Sequence, residues 1–336
     1  MIPTEKSEAV AAGLHEAFGV SAFESIEPVM GGQTPSLVYR IIVRGSPYLL
    51  KIITRHEDPT RHYTSMRAAA AAGVAPRVWH TNTAERISIT DFVSARPLSR
   101  VDALTRLPVL LRTLHDTPPF ARAPFNTTCT FLLSPGPAQD AFLQKFEAAN
   151  LLPGPVRDEF FSIHTALAAI YPYDDAQMVS SHNDLFKPDN ILFDGARVWL
   201  VDWEAAFLND RYADLAVVAN QIVTNDDEER SFLQAYFGEA PDAYQRARFH
   251  VMQQIAHLFY TMAFLYVGAA GQPVDWNVPV PDPGAFQQQM WSRDIDLSIP
   301  VTKVAFGRVN WERLTHNVRQ PRYREAFEIM GNARTR

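Results

Sequence analysis

The sequence predicts a bilobal α+β protein, in which a small β-rich N-terminal lobe precedes a larger, mainly helical C-terminal lobe. Three observations carry this reading. Apolar residues alternate in strand-like runs through the first 93 residues, whereas from Ser99 onward they recur at helical spacing. A chain of 336 residues with 47% hydrophobic and 20% charged content is long enough for two cores of ordinary size. The helical half is broken by one short hairpin, and the residues with the strongest chemical character gather around it.

Residues 5–17 read as a short amphipathic helix. The pattern then turns to strands: residues 37–43, a turn at Arg44-Gly45-Ser46-Pro47, and residues 48–53 form a hairpin. A helix follows over 60–72, ended by Gly73 with Pro76 soon after, and β-type runs come at 77–80 and 86–93. Helical patterns occupy 101–116, 137–150, 155–170, 212–223, 226–237 and 241–268. Between them Ile191-Leu192-Phe193 and Val198-Trp199-Leu200-Val201 make a hairpin turned at Asp194-Gly195. The Pro-rich stretch 272–284 reads as a surface loop, because helical signals resume after it.

Composition excludes several classes. A net charge of -6 without clustered Lys and Arg argues against a nucleic-acid partner. Cys129 is the only cysteine, so no intrachain disulfide forms, and a reducing cytosol fits. The N-terminus lacks the basic and apolar regions of a secretory signal, so a cytoplasmic location is expected. The longest apolar stretch, 255–270, falls short of the roughly 20 residues a bilayer span requires and is apolar on both faces, as a buried core helix is. No membrane association is expected.

The strongest motif is Ser181-His182-Asn183-Asp184-Leu185-Phe186-Lys187-Pro188-Asp189-Asn190, followed across the hairpin by Val201-Asp202-Trp203-Glu204. Phosphoryl transfer from Mg·ATP requires a carboxylate that orients the incoming hydroxyl and accepts its proton, together with oxygen ligands that set Mg2+ against the phosphates. Asp184, Asn190 and Asp202 supply such a set, and the hairpin brings the last two together.

This segment resembles the catalytic loop and metal-binding strand end of the aminoglycoside phosphotransferase and choline/ethanolamine kinase superfamily, relatives of the protein kinases. There the loop reads His-x-Asp with an Asn after it, and the metal carboxylate lies in a motif that Asp202-Trp203-Glu204 matches. The continuation from Asn209-Asp210 to Asp214 resembles the choline/ethanolamine and thiamine kinase branch more than the antibiotic kinases. The resemblance implies a protein-kinase-like fold, with residues 1–93 as nucleotide-binding lobe and 94–336 as catalytic and substrate lobe. It implies ATP and Mg2+ as cofactors, Asp184 as catalytic base, and Asn190 and Asp202 as metal ligands. The expected activity is transfer of the γ-phosphoryl group to a hydroxyl of a small amine-bearing metabolite. The alternatives are an aminoglycoside or other antibiotic kinase, and a nucleotide-binding pseudokinase without turnover.

The resemblance extends to the N-terminal part. Gly31 and Gly32 lie where the superfamily has its phosphate loop, and glycines let backbone N–H groups approach phosphate oxygens. Lys51, ending an apolar strand, matches the phosphate-binding lysine. Asp91-Phe92-Val93 resembles the interlobe hinge that holds adenine through its backbone. Two departures stand out. The helix that presents a Glu to the lysine has no carboxylate over 61–67, leaving Glu57 and Asp58 as the nearest candidates. Asn190 falls six residues after Asp184 rather than five, where Asp189 stands; strand register favours Asn190 as the ligand. Asp184 and Glu204 are expected near the acceptor, where a cationic substrate relieves their repulsion. Tyr260, Phe264, Tyr266, Trp276 and Trp291 are read as core or as a box for a substrate ammonium.

Overall fold

The computed structural model describes residues 2–29, 36–122, 137–172 and 178–334. Gly31, Gly32 and Cys129 lie outside them. The N-terminal part is a five-stranded antiparallel sheet in the order β1-β2-β3-β5-β4, built from Ser25–Pro28 (β1), Ser36–Val43 (β2), Ser46–Ile53 (β3), Val78–Asn82 (β4) and Ile87–Asp91 (β5). The turn between β2 and β3 is tighter than expected. Arg44 and Gly45 alone form it, both at positive φ (51° and 74°), the twist that suits a two-residue hairpin.

Strand alternation sorts this sheet into two faces. Tyr39, Ile41, Leu50, Ile52, Ile87 and Ile89 pack under the first helix, Ser7–Phe18 (α1), against its Val10 and Leu14. Each fully buried aliphatic here contributes about 1.5–3 kcal/mol. The opposite face of β3 carries Lys51, between Val38 and Ser88 on the neighbouring strands. Helix α2 (Thr60–Ala71) follows β3 and packs on β4 and on the turn at Trp203–Ala205.

The remaining elements are mostly helical: α3 (Arg100–His115), α4 (Pro137–Ala148), α5 (Gly154–Ile170), α6 (Arg211–Ile222), α7 (Asp226–Phe237), α8 (Ala243–Ala269), α9 (Pro283–Trp291), α10 (Pro300–Val318) and α11 (Pro321–Arg334). Local chemistry sets several starts. Ser99 accepts from the Asp102 amide, Asn225 from Asp227 and Glu228, and Asp242 and Gln245 form a reciprocal capping box on α8. α8 is buried on both faces, as its all-round apolar pattern predicts, and α10 packs along it with His257 Nδ1 2.9 Å from Asn310 Oδ1. No helix among the described residues is long and apolar enough to cross a membrane. α9 begins within the Pro-rich stretch expected to be loop, because Asp282 caps it and Pro283 suits its first turn.

Two small ladders complete the fold. The expected hairpin is present as Ile191–Phe193 (β7) and Val198–Leu200 (β8), with Ile191 opposite Leu200. The other pairs Met178–Ser181 (β6) with Phe207–Asp210 (β9), so Ser181 lies opposite Phe207.

Candidate active site

The site is assembled by these two ladders. β6 delivers His182-Asn183-Asp184 at its end, and β9 runs directly into α6. From the first turn of α6, the buried Asp214 carboxylate accepts the amides of His182 (2.8 Å) and Asn183 (2.8 Å), and His115 Nε2 lies 3.4 Å away. Asp214 is thus the brace of the loop, while the helix cap is Asp210. Burial acts to raise the Asp214 carboxyl, but the hydrogen bonds from His115 and from the His182 amide, with the two imidazoles nearby, outweigh it and hold it below the usual aspartate value.

Asn183 adopts a left-handed conformation (φ 67°), which Asn tolerates better than most residues. Its side chain ties the loop to the following segment: Nδ2 donates to Ala205 O at 3.0 Å, and Oδ1 accepts from Asn209 Nδ2 at 2.6 Å. His182 Nε2 lies 2.9 Å from Val201 O, so it donates there, and Nδ1 accepts from the Asp184 amide at 3.3 Å. The motif residues therefore hold both the loop and the end of the hairpin.

Asp184 is mostly buried. Lys187 Nζ stands 3.2 Å from its Oδ2, and Asn190 Nδ2 donates to both its carbonyl (2.7 Å) and its Oδ2 (2.9 Å). Burial raises its carboxyl above the usual range, with Lys187 and His182 opposing. Asn190 is only 4% exposed. With Nδ2 committed to Asp184, its Oδ1 is the amide atom left to meet a ligand. Asp189 turns outward: its side chain is 73% exposed and pairs with Arg293 at 3.0 Å.

Val201 N donates to Asn190 O at 3.0 Å, which carries the ladder one step past β8 and sets Asp202 next to Asn190. Asp202 also adopts the left-handed conformation (φ 66°). Its Oδ1 meets Lys51 Nζ at 2.9 Å, and the same ammonium reaches Glu204 Oε1 at 3.1 Å. Burial lowers the Lys51 ammonium, yet Asp202 and Glu204 outweigh it and hold its pKa above the ordinary value. For Asp202 burial again opposes, and Lys51 prevails, keeping the carboxylate ionised.

The carboxylates sought near α2 do not serve Lys51. The Glu57 side chain is 79% exposed and lies 3.9 Å from Arg55, and Asp58 Oδ1 accepts the Thr60 amide at 2.9 Å. Glu204 takes the place of a helix carboxylate. Its second oxygen pairs with Arg55, while Arg61 from α2 donates to Glu204 O (3.0 Å) and Ala206 O (2.9 Å). Both Glu204 oxygens are thus on cations of the N-terminal part rather than directed at an acceptor. Arg55, Arg61, Asn183 and Asn209 had no assigned role from the sequence; a cationic stretch where a carboxylate was missing is the signal that points to the first two.

At the expected hinge, Asp91 ends β5 with its carboxylate accepting Trp79 Nε1 at 2.7 Å, and Phe92 lies 5.4 Å from the Arg40 guanidinium. Phe92 and Val93 begin the crossing between the sheet and the helical part. Of the aromatic set, Tyr260 and Phe264 pack on Phe186, two residues after Asp184 (5.0 and 5.3 Å), and Trp276 already faces a cation within the protein, Arg308 at 4.9 Å.

No group of three or more His, Cys, Asp or Glu side chains able to hold a metal occurs among the described residues. Mg2+ at a phosphate site does not require one, since one or two protein oxygens plus phosphate and water suffice. The ionised Asp202 and the amide oxygen of Asn190 are oxygen donors of that kind.

A family model described as the phosphotransferase enzyme family (APH) matches residues 25–250. No curated protein matches the chain. Among solved structures, a choline/ethanolamine kinase family protein from Mesorhizobium loti is similar at 22% identity, covering 96% of this chain and 98% of that one, with TM-score 0.66. The choline kinase LicA from Streptococcus pneumoniae is similar at 17% identity, covering 86% and 98%, with TM-score 0.56. Spectinomycin phosphotransferase APH(9)-Ia, in complex with ADP and spectinomycin, is similar at 13% identity, covering 90% and 98%, with TM-score 0.53.

Proposed function

Given that the chain belongs to the phosphotransferase enzyme family, we propose that it transfers the γ-phosphoryl group of ATP to a hydroxyl of a small molecule, with Asp184 as base. The observation that carries this is the convergence of Asp184, Asn190, Asp202 and Lys51, supplied by separate elements, on one cleft. The acceptor oxygen bonds to the γ-phosphorus as the bond from that phosphorus to the ADP oxygen breaks, and the hydroxyl proton passes to Asp184. Lys51 meets the phosphates from the sheet. The left-handed Asp202 and the amide of Asn190 would hold Mg2+, which supplies charge neutralisation at the phosphates. Glu204 keeps Lys51 and Arg55 in place.

The ADP complex of a structurally similar protein supports nucleotide use. The pseudokinase alternative is disfavoured because Asp184, Asn190 and Asp202 are all retained and lie together. Incubation of purified protein with Mg·ATP and a pooled panel of amino alcohols, thiamine, sugars, hydroxy acids and aminoglycosides tests the reading. ADP release matched by a product heavier by one phosphoryl group is the expected result; no transfer to any acceptor contradicts it.

The choline- or ethanolamine-like substrate implied by the resemblance is supported by the similar kinases, and a thiamine-like one by the resemblance alone. The separate argument for a cation, from repulsion between Asp184 and Glu204, loses its force, because Glu204 is neutralised by Lys51 and Arg55.

A further inference from the structure

The end of α9 is bonded to two other parts of the chain. Trp291 Nε1 donates to Leu98 O at 3.0 Å, on the segment that crosses from β5 to α3. Arg293 reaches the turn that leads into β7: Nη2 donates to Pro188 O at 2.8 Å and to Ile191 O at 2.9 Å, and Nε to Asp189 Oδ1 at 3.0 Å. Both hydrogens of Nη2 are thus spent on the two carbonyls that bracket Asp189-Asn190.

α9 is a firm base for this side chain. Phe286 and Met290 are buried with Leu297 and Val309, and Phe286 stacks on Phe306 at 6.1 Å. The helix closes with the Asp294 amide on Gln289 O (2.9 Å) and the Arg293 amide on Met290 O (3.1 Å), and Arg293 itself is left-handed (φ 62°). This closing position favours glycine, because a Cβ crowds the left-handed backbone. An arginine here carries a backbone cost that its side chain offsets elsewhere, and its side-chain bonds all go to residues 188–191.

The turn held in this way carries Asn190, whose Nδ2 meets Asp184 Oδ2 at 2.9 Å. A displacement of about 1 Å at a contact of this kind costs on the order of 10²-fold in rate.

We propose that Arg293 is a positioning residue for phosphoryl transfer: through Pro188 O and Ile191 O it fixes the turn that sets the Asn190 amide beside Asp184. The effect on turnover rests on the phosphoryl-transfer reading above, whereas the effect on the turn rests on geometry alone. The bond to Asp189 is not the working contact, since that carboxylate is 73% exposed and a surface pair contributes little.

Three variants test it. Arg293→Gly removes the side chain and suits the left-handed backbone, Arg293→Met removes the donors alone, and Asp189→Ala removes only the surface pair. Hydrogen exchange followed by mass spectrometry over residues 186–193 reads the turn, where the Asn190 and Ile191 amides are bonded to Lys187 O and Pro188 O. Both Arg293 variants should exchange there at least ~10-fold faster than wild type, with other segments unchanged and the unfolding midpoint within ~4 °C. With Mg·ATP and the acceptor found in the panel above, their kcat should fall about 10–100-fold while the acceptor KM changes less than ~3-fold. Asp189→Ala should stay close to wild type in both measurements.

Unchanged exchange over 186–193, faster exchange with wild-type kcat, or a loss in Asp189→Ala equal to that in Arg293→Gly overturns the proposal. A fall in kcat accompanied by faster exchange throughout and a lower unfolding midpoint overturns it as well, because that is a purely structural role. Arg293→Gly carries the test where Arg293→Met does not fold. If exchange in the turn rises as expected and the wild type phosphorylates no compound, the phosphoryl-transfer reading fails instead.

Discussion

Lys51 on the central sheet meets Asp202 at 2.9 Å across the cleft, although the two residues are 151 positions apart in sequence. The ammonium also holds Glu204, so one cation joins β3 to both acidic residues of the Asp202-Trp203-Glu204 segment. Lys51→Met should therefore lower kcat/KM for ATP by at least ~10²-fold, because it removes phosphate neutralisation and frees Asp202 from its partner. Steady-state kinetics over a range of ATP concentrations checks this.

The ion pair between Asp189 and Arg293 lies at the surface and is worth about 0–1 kcal/mol. Asp189→Ala should retain most activity and nearly all stability. Asn190→Ala removes the buried amide that bonds Asp184 and should lose most activity. A comparison of kcat for the two variants decides between them; loss in Asp189→Ala with retention in Asn190→Ala would exchange their roles.

Much of this site was legible from residue order. The loop and hairpin that carry Asp184, Asn190 and Asp202 are readable from residue order, and the structure sets Asn190 beside Asp184 while Asp189 turns outward to Arg293. The partner of Lys51 was not legible, since local sequence directed attention to Glu57 and Asp58, and the pairing with Glu204 depends on how α2 docks. β6 and β9 were missed for a similar reason. Each spans four residues and is a strand only through its partner, about 30 positions away. Edge strand β1, largely exposed, presents too little alternation to detect.

Asp214 supports the loop from a fully buried position, so Asp214→Asn should destabilise the protein by about 2–4 kcal/mol, setting an amide N–H against the loop amides. Its folded-state pKa is depressed, so the stability it confers is present above the ordinary aspartate pKa and is lost as pH falls through the lower folded value. The gap between wild type and Asp214→Asn should be full at neutral pH and shrink below about pH 4. Denaturant unfolding at a series of pH values measures it; a gap that widens in acid would contradict the assignment.

Arg61 fastens α2 to the segment that carries Glu204 through two backbone carbonyls. Arg61→Met should raise the KM for ATP several-fold with little change in acceptor KM, since it loosens the phosphate side of the cleft alone. Equal effects on both constants would indicate a general loss of folding, which thermal unfolding would reveal.

The central claim is that Asp184 acts on the acceptor hydroxyl and does not hold the nucleotide. Asp184→Asn preserves the size of the side chain and its contact with Asn190 while removing the base. The most direct measurement is single-turnover phosphoryl transfer by wild type and Asp184→Asn, beside Mg·ATP affinity measured by titration calorimetry. The transfer rate should fall by about 10²–10⁴-fold with nucleotide affinity changed less than ~3-fold. Near wild-type transfer in the variant, or a loss explained by weakened Mg·ATP binding, would contradict the account.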